Sequence, residues 1–266
     1  MAGPPQGLGA AAAPLGFTVA GSGPKGRNPV RSLTLDGEEA FELSFWCGTC
    51  PFLFERKMGA NRTLSSQQLT GRLNQGLPGP DPEVVASVAS LLPEGVYVPL
   101  LIELIPRLVR PVEPGDYFAE EQVRTWGIAN FWGLPENPRT PYYRAGEQIL
   151  GETERLYEFV VPMVPPSWNH PDRVREYRDQ FGAGAQPVAL AVSILDICQP
   201  ATVGSDASEP DLTHWGFPHF LLDGHHKLQA AAEVGVPIRL LSLLSVDHSL
   251  ATRDQVLELP AMLPSA

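Results

Sequence analysis

Charge is scarce in this sequence, and positive charge scarcer still. Only 18% of the 266 residues are Asp, Glu, Lys or Arg, too few to coat the long solvent-facing helices of a coiled coil or helical bundle. The formal net charge is −11, and from Pro187 onward three cations (Lys227, Arg239, Arg253) face nine carboxylates. Nucleic-acid binding relies on clustered cations to neutralise phosphates, so this balance argues against it. Cysteine is also sparse: three residues cannot make the even framework of a small secreted disulfide protein. No basic residue precedes Lys25, and the apolar run Ala10 to Ala13 is too short for a signal segment. No stretch reaches the roughly 20 apolar residues of a membrane span. The expectation is a soluble cytoplasmic protein with neither a nucleic-acid nor a membrane partner.

What is present is apolar surface and turn chemistry. Hydrophobic residues make up 43% of the chain, alongside 25 glycines and 28 prolines, enough for a sizeable core cut by many connections. Residues 1–29 are dominated by Gly, Ala and Pro without hydrophobic period, which reads as a flexible tail. From Leu33 to Phe45 apolar and polar residues alternate around Asp36-Gly37, the signature of a tight β-hairpin. Helices are expected over Ser65–Asn74 and Pro82–Leu92, the second with Pro82 in its first turn and Val84, Val85 and Val88 on one face. Gly95–Ile105 reads as a strand, placed at an edge or bent because of Pro99. Gly146–Leu150 and Arg155–Val161 read as two more. The simplest architecture for residues 30–165 is a β-rich domain, an antiparallel sheet with helices, of unassigned role.

The composition changes at a proline-rich stretch from Pro162 to Pro171, and residues 166–266 read as a second, compact α/β domain. A helix over Asp172–Phe181 is followed by strand Val188–Ile197, a polar loop, strand Phe217–Leu222, helix His225–Val234 and strand Ile238–Ser245. The fold class is therefore α+β.

The most informative segment is Phe220-Leu-Leu-Asp223-Gly224-His225-His226-Lys227-Leu-Gln-Ala-Ala-Ala-Glu-Val-Gly235. A buried strand ends at Leu222, Gly224 permits a sharp turn and close approach of backbone to a ligand, and Leu228, Ala231 and Ala232 give the next helix an apolar face. The first turn of a helix offers unpaired N–H groups and the positive end of the dipole, a ready anion site. Three basic side chains at that end are electrostatically disfavoured unless an anion sits there. Asp223 beside it is placed to accept a proton or to help hold Mg²⁺. The structural alternative is equally open: Asp223 caps the helix and the imidazoles hydrogen-bond nearby backbone.

These residues resemble the Asp-Gly-His-His-Arg motif of ParB/sulfiredoxin-like domains, in particular the branch that includes free serine kinases. The resemblance spans about residues 187–250, with Lys227 in place of the usual Arg. It implies that Gly224, His225, His226 and Lys227 contact nucleotide phosphates, that Asp223 serves catalysis with the histidines beside it, and that ATP or ADP with Mg²⁺ is the cofactor. Sulfiredoxins have a reactive Cys where His225 stands, and DNA-partitioning ParB proteins carry a Glu-Arg-Arg version, so neither of those activities is expected. A second carboxylate near the acceptor would come from Asp196, Glu209 or Asp211.

Trp46-Cys47-Gly-Thr-Cys50-Pro51 resembles a thioredoxin redox site, but a hairpin rather than a βαβ unit precedes it. Cys47 and Cys50 also make half of a tetrahedral Zn²⁺ site, with Cys198 and a histidine, His170 or His214, to complete it. His214 and His219 flank Trp215-Gly-Phe-Pro and could border the nucleotide pocket or be satisfied core histidines. Trp126, Trp132, Tyr142 and Tyr143 could line a pocket or be core aromatics. The functions carried forward are a nucleotide-dependent phosphotransferase (kinase-like) or nucleotide hydrolase acting on a small-molecule acceptor, a non-catalytic nucleotide-responsive protein with a protein partner, and a CxxC redox or zinc protein.

Overall fold

The computed structural model describes residues 1–20, 30–43, 54–64, 67–126, 139–199 and 212–263. In chain order these form β1 (Gln6–Leu8), β2 (Leu15–Ala20), β3 (Val30–Leu35), β4 (Glu38–Leu43), β5 (Phe54–Arg56), α1 (Gln67–Asn74), α2 (Pro82–Ala89), β6 (Gly95–Leu104), β7 (Arg107–Val109) and α3 (Glu121–Trp126). The remainder are β8 (Tyr142–Ile149), β9 (Glu154–Pro162), α4 (Pro171–Gly182), β10 (Val188–Ser193), β11 (Asp196–Cys198), β12 (Thr213–Asp223), α5 (His225–Val234), β13 (Ile238–Ser245) and α6 (Arg253–Met262). Among the described residues no helix is long and apolar enough to cross a membrane.

The local chemistry explains most of these boundaries. Asp36 and Gly37 both take positive φ, 50° and 82°, the twist a two-residue hairpin needs to join β3 to β4. The Asp81 carboxylate accepts from the Glu83 and Val84 amides and so caps α2. A capping box between Thr252 and Gln255 starts α6, a helix that hydrophobic period alone does not reveal. Pro99 sits inside β6 without penalty: its carbonyl accepts from Gly3 N, so its missing N–H faces the same sparsely paired N-terminal side.

The expected division at residue 165 is not a division of the sheet. A mixed α+β fold is present, but one nine-stranded sheet runs β1-β6-β13-β10-β12-β9-β8-β7, with β11 paired to β12. β9 pairs in parallel with β12 over nine positions, and β13 pairs antiparallel with β6 over eight. Long-range pairing of apolar strands across the proline-rich stretch overrides the composition shift. The first twenty residues are likewise not a tail. β1 pairs with β6, β2 pairs with β3, and Leu15 is buried. A segment dominated by Gly, Ala and Pro, without hydrophobic period, is ordered here by joining two sheets.

Three layers result. Leu190, Val192, Phe220, Leu222, Leu241 and Leu243 on one face of the large sheet pack against the four-stranded sheet β2-β3-β4-β5 and against α1 and α2. The opposite face, with Ala189, Ala191, Phe217, Leu221, Leu240 and Leu244, lies under α5 and α6. A buried ion pair ties the layers: Arg31 of β3 donates to the Asp196 carboxylate at 2.8 Å, and Asp196 also accepts from Leu250 N at 2.9 Å. Truncating one partner of such a pair leaves a charge buried without compensation. Arg31→Ala is therefore expected to lower the unfolding free energy by about 3–5 kcal/mol, measured by urea unfolding. The double replacement Arg31→Met, Asp196→Leu, which removes both charges, should recover a large part of that loss.

Candidate functional site

The Asp223–Lys227 turn forms one corner of the large sheet. β12 ends opposite the start of β10, with Asp223 aligned to Leu190, and β13 begins beside it, with Arg239 aligned to Val188. Gly224 follows with φ 96° and ψ 21°, and α5 starts at His225. A Cβ on Gly224 would lie 2.8 Å from the Ala189 Cβ and 3.0 Å from its Cα. Glycine is thus required twice, for a left-handed conformation and for close contact with β10.

Each side chain of the motif has a defined place. His225 is 3% exposed, and its Nε2 accepts from Met163 N at 3.1 Å and Val164 N at 3.4 Å. A neutral imidazole that accepts at Nε2 carries its proton on Nδ1. That Nδ1 is buried with no hydrogen-bond partner. Burial, with a smaller contribution from His226, holds the ring's pKa down at about 3. His226 Nε2 accepts from His170 N at 3.0 Å, and burial lowers its pKa as well. Asn169 donates to the His225 carbonyl and to Gln229 Oε1. Both imidazoles therefore grip the connection between β9 and α4.

Lys227 is 1% exposed, and its ammonium donates to the Val188 carbonyl at 2.9 Å and lies 3.7 Å from Asp223 Oδ2. Burial lowers its pKa, opposed by Asp223. The lysine thus reaches back under the turn rather than out toward a ligand. Asp223 does not cap α5, which has no side-chain cap at its N-terminus. Gly224, His225, Lys227 and Leu228 are buried, and within the turn only Asp223 and His226 are partly exposed. Asp223 provides a single carboxylate, shared with Lys227, and no group of three or more His, Cys, Asp or Glu among the described residues could hold a metal. These residues do not fit a resident Mg²⁺ site.

The other candidate residues lie apart from the turn. Asp196 is fully buried and engaged by Arg31. It sits opposite Gly216, seven residues from Asp223 along β12, or about 23 Å at the rise of a strand. Cys47, Cys50, Glu209, Asp211, Trp132 and the side chain of Trp126 fall outside the described residues. Cys198 is buried. His214 lies between Tyr117 Oη and Thr125 Oγ1, each 2.7 Å away, and burial lowers its pKa to about 3. Tyr142 packs among Phe54, Phe118 and Phe159, and Tyr143 belongs to the opposite face. Both are core residues.

His219 belongs to an arrangement the sequence does not reveal. Its Nε2 is 3.0 Å from Glu158 Oε1, its Nδ1 is 2.8 Å from Ser242 Oγ, and Ser242 Oγ is 2.8 Å from Ser193 Oγ. These four residues come from β9, β12, β13 and β10, and no short-range spacing links them. His219, Ser193 and Ser242 are fully buried, which leaves no path for a substrate carbonyl to reach the serine. Comparison with protein-family models, curated proteins and solved structures finds no match to the chain.

Two outcomes follow from this geometry. Gly224→Ala should destabilise the protein by about 2–4 kcal/mol, combining left-handed strain with overpacking against Ala189, as read by chemical unfolding. The depressed pKa values of His214 and His225 also set a pH dependence. The unfolded chain protonates these rings near pH 6.5 while the folded protein does not until about pH 3. Stability is thus full above pH 6.5 and falls as pH drops, by about 1.4 kcal/mol per unit for each histidine. Unfolding curves at pH 7.5 and 5.5 should show this, with the slope reduced in His225→Gln. Equal stability at the two pH values would contradict it.

Proposed function

We propose that the protein is a nucleotide-dependent phosphotransferase whose phosphate site is the first turn of α5. The observation that carries this reading is the uncapped helix start behind left-handed Gly224, with the buried and unpartnered His225 Nδ1 beside it. Backbone N–H groups and the positive end of the helix dipole favour a phosphate there. The resemblance of the motif to the free-serine-kinase-like branch points the same way, although Lys227 acts from behind the turn, on Asp223, instead of on the phosphate.

In the chemistry this supports, an acceptor hydroxyl oxygen attacks the terminal phosphorus and its proton passes to the Asp223 carboxylate. The bond from phosphorus to the nucleotide oxygen breaks, and the nucleotide leaves with the electron pair. Any Mg²⁺ arrives with the nucleotide phosphates as part of the substrate.

A second reading has its own observation. Because His225 and His226 hold the amides of Met163, Val164 and His170, an anion bound at the turn would bear on the β9–α4 connection, as a nucleotide-responsive binding protein would need. Thermal shift with ATP, ADP, CTP and inorganic phosphate, paired with product assays over a panel of small hydroxyl compounds, separates the two. Phosphotransfer predicts stabilisation by a nucleotide and turnover that falls by about 10²–10⁴ in Asp223→Asn with binding kept. Stabilisation without turnover supports the second reading, and no shift with any of these ligands removes both.

A further inference from the structure

On the sheet face beneath α5 and α6, Ser193, Ser242, His219 and Glu158 form a hydrogen-bonded row among apolar neighbours, and that row leads out of the core. Glu158 opens into a cleft of about 360 Å³ between the end of β6, the middle of β8, β9 and the end of α6. Leu104, Ile105 and Leu156 contribute apolar wall, and Glu103, Glu147 and Glu158 contribute carboxylates. No Lys, Arg or His is among the described lining residues. Ile105, directly after β6, is 55% exposed and adds apolar surface at the cleft.

The three carboxylates are not equivalent. Glu103 lies 3.7 Å from Arg239, and Glu147 lies 3.6 Å from Arg144. Glu158 is held instead by the His219 imidazole at Oε1, and that imidazole contacts the buried Ser242 hydroxyl, which in turn donates to Ser193 Oγ. Its Oε2 lies beside Gly146, where a Cβ would come no nearer than 3.9 Å, so the absent side chain keeps the carboxylate accessible from the cleft. A carboxylate oriented from behind by a hydrogen-bonded row, inside apolar walls, is a preorganised acceptor for a cation that brings apolar surface with it. With Glu103 and Glu147 offset by Arg239 and Arg144, it is the Glu158 carboxylate that disfavours an anion. A metal ion is not favoured, because the described residues form no group of three donors that could hold one.

We propose that this cleft binds a small organic cation, a protonated amine carried on an apolar body, with Glu158 as its anionic anchor. The site is separate from the α5 turn: Glu158 pairs opposite Phe217, six residues before Asp223, or about 20 Å along the strand. Its occupancy does not depend on the phosphate reading.

The test is titration of the full chain, followed by calorimetry and NMR, with hexylamine, hexanol, hexanoate and methylamine as probes. Hexylamine is expected to bind saturably at one site, hexanol about tenfold more weakly, and hexanoate and methylamine not measurably. Glu158→Gln should weaken hexylamine by about tenfold while leaving hexanol unchanged. Because Glu158 also contacts His219, a second variant guards against misfolding: Gly146→Leu fills the cleft from an exposed position and should abolish hexylamine binding without altering the thermal melt. Equal affinity for hexanol and hexylamine, retention of amine binding in Gly146→Leu, or no amine binding up to about 10 mM would each overturn the proposal.

Discussion

The contact between Gly224 and Ala189 is so close that no other residue fits at position 224 without displacement, and one whole corner of the molecule is arranged around it. Once the chain turns left-handed there, α5 drops directly onto β10. Lys227 then reaches the Val188 carbonyl, and His225 reaches the amides of Met163 and Val164. Leu64 N donates to the Leu222 carbonyl at the same corner. The ends of β9, β10 and β12 and the start of α5 are held together by few atoms, all buried, where a lost hydrogen bond is costly because no water replaces it.

This arrangement changes what the basic residues of the turn mean. Three basic side chains at a helix N-terminus are electrostatically disfavoured, and an external anion is one way to relieve that. The structure uses another: burial holds the His225 and His226 pKa values down, both rings act as acceptors toward backbone, and the lysine charge is directed to Asp223 and a carbonyl. What is left for a ligand is backbone N–H, the His225 Nδ1 and the dipole. Any anion recognition at this turn would rest on the helix dipole and backbone more than on the side chains.

The two faces of the large sheet divide the labour. The face toward the four-stranded sheet is mainly apolar, with the Phe41 and Phe220 ring centroids 5.1 Å apart across the layers, and the buried Arg31–Asp196 pair bridges those layers. The face toward α5 and α6 carries both chemically distinctive features, the turn at one end of β12 and the Glu158 row further along it. Placing polar groups in a row on one face lets each satisfy the next, so the row can remain buried until Glu158 meets the cleft.

Sequence by itself determined the local elements and their chemistry: the Asp36-Gly37 hairpin, the Asp81-capped helix, the strand–Gly224–helix turn and the apolar faces of β12, α5 and β13. These depend on φ preferences, capping and periodicity, which act between residues a few positions apart. Tertiary structure alone decided that the first twenty residues join two sheets, that strands on both sides of residue 165 share one sheet, and that Glu158, His219, Ser242 and Ser193 meet. Strand pairing couples residues 59 positions apart between β9 and β12 and up to 148 apart between β6 and β13, and no short-range pattern encodes which partner a strand will take. The same reason accounts for Lys227: its identity and helical position were legible, but the direction of its ammonium was set by a carbonyl 39 residues away.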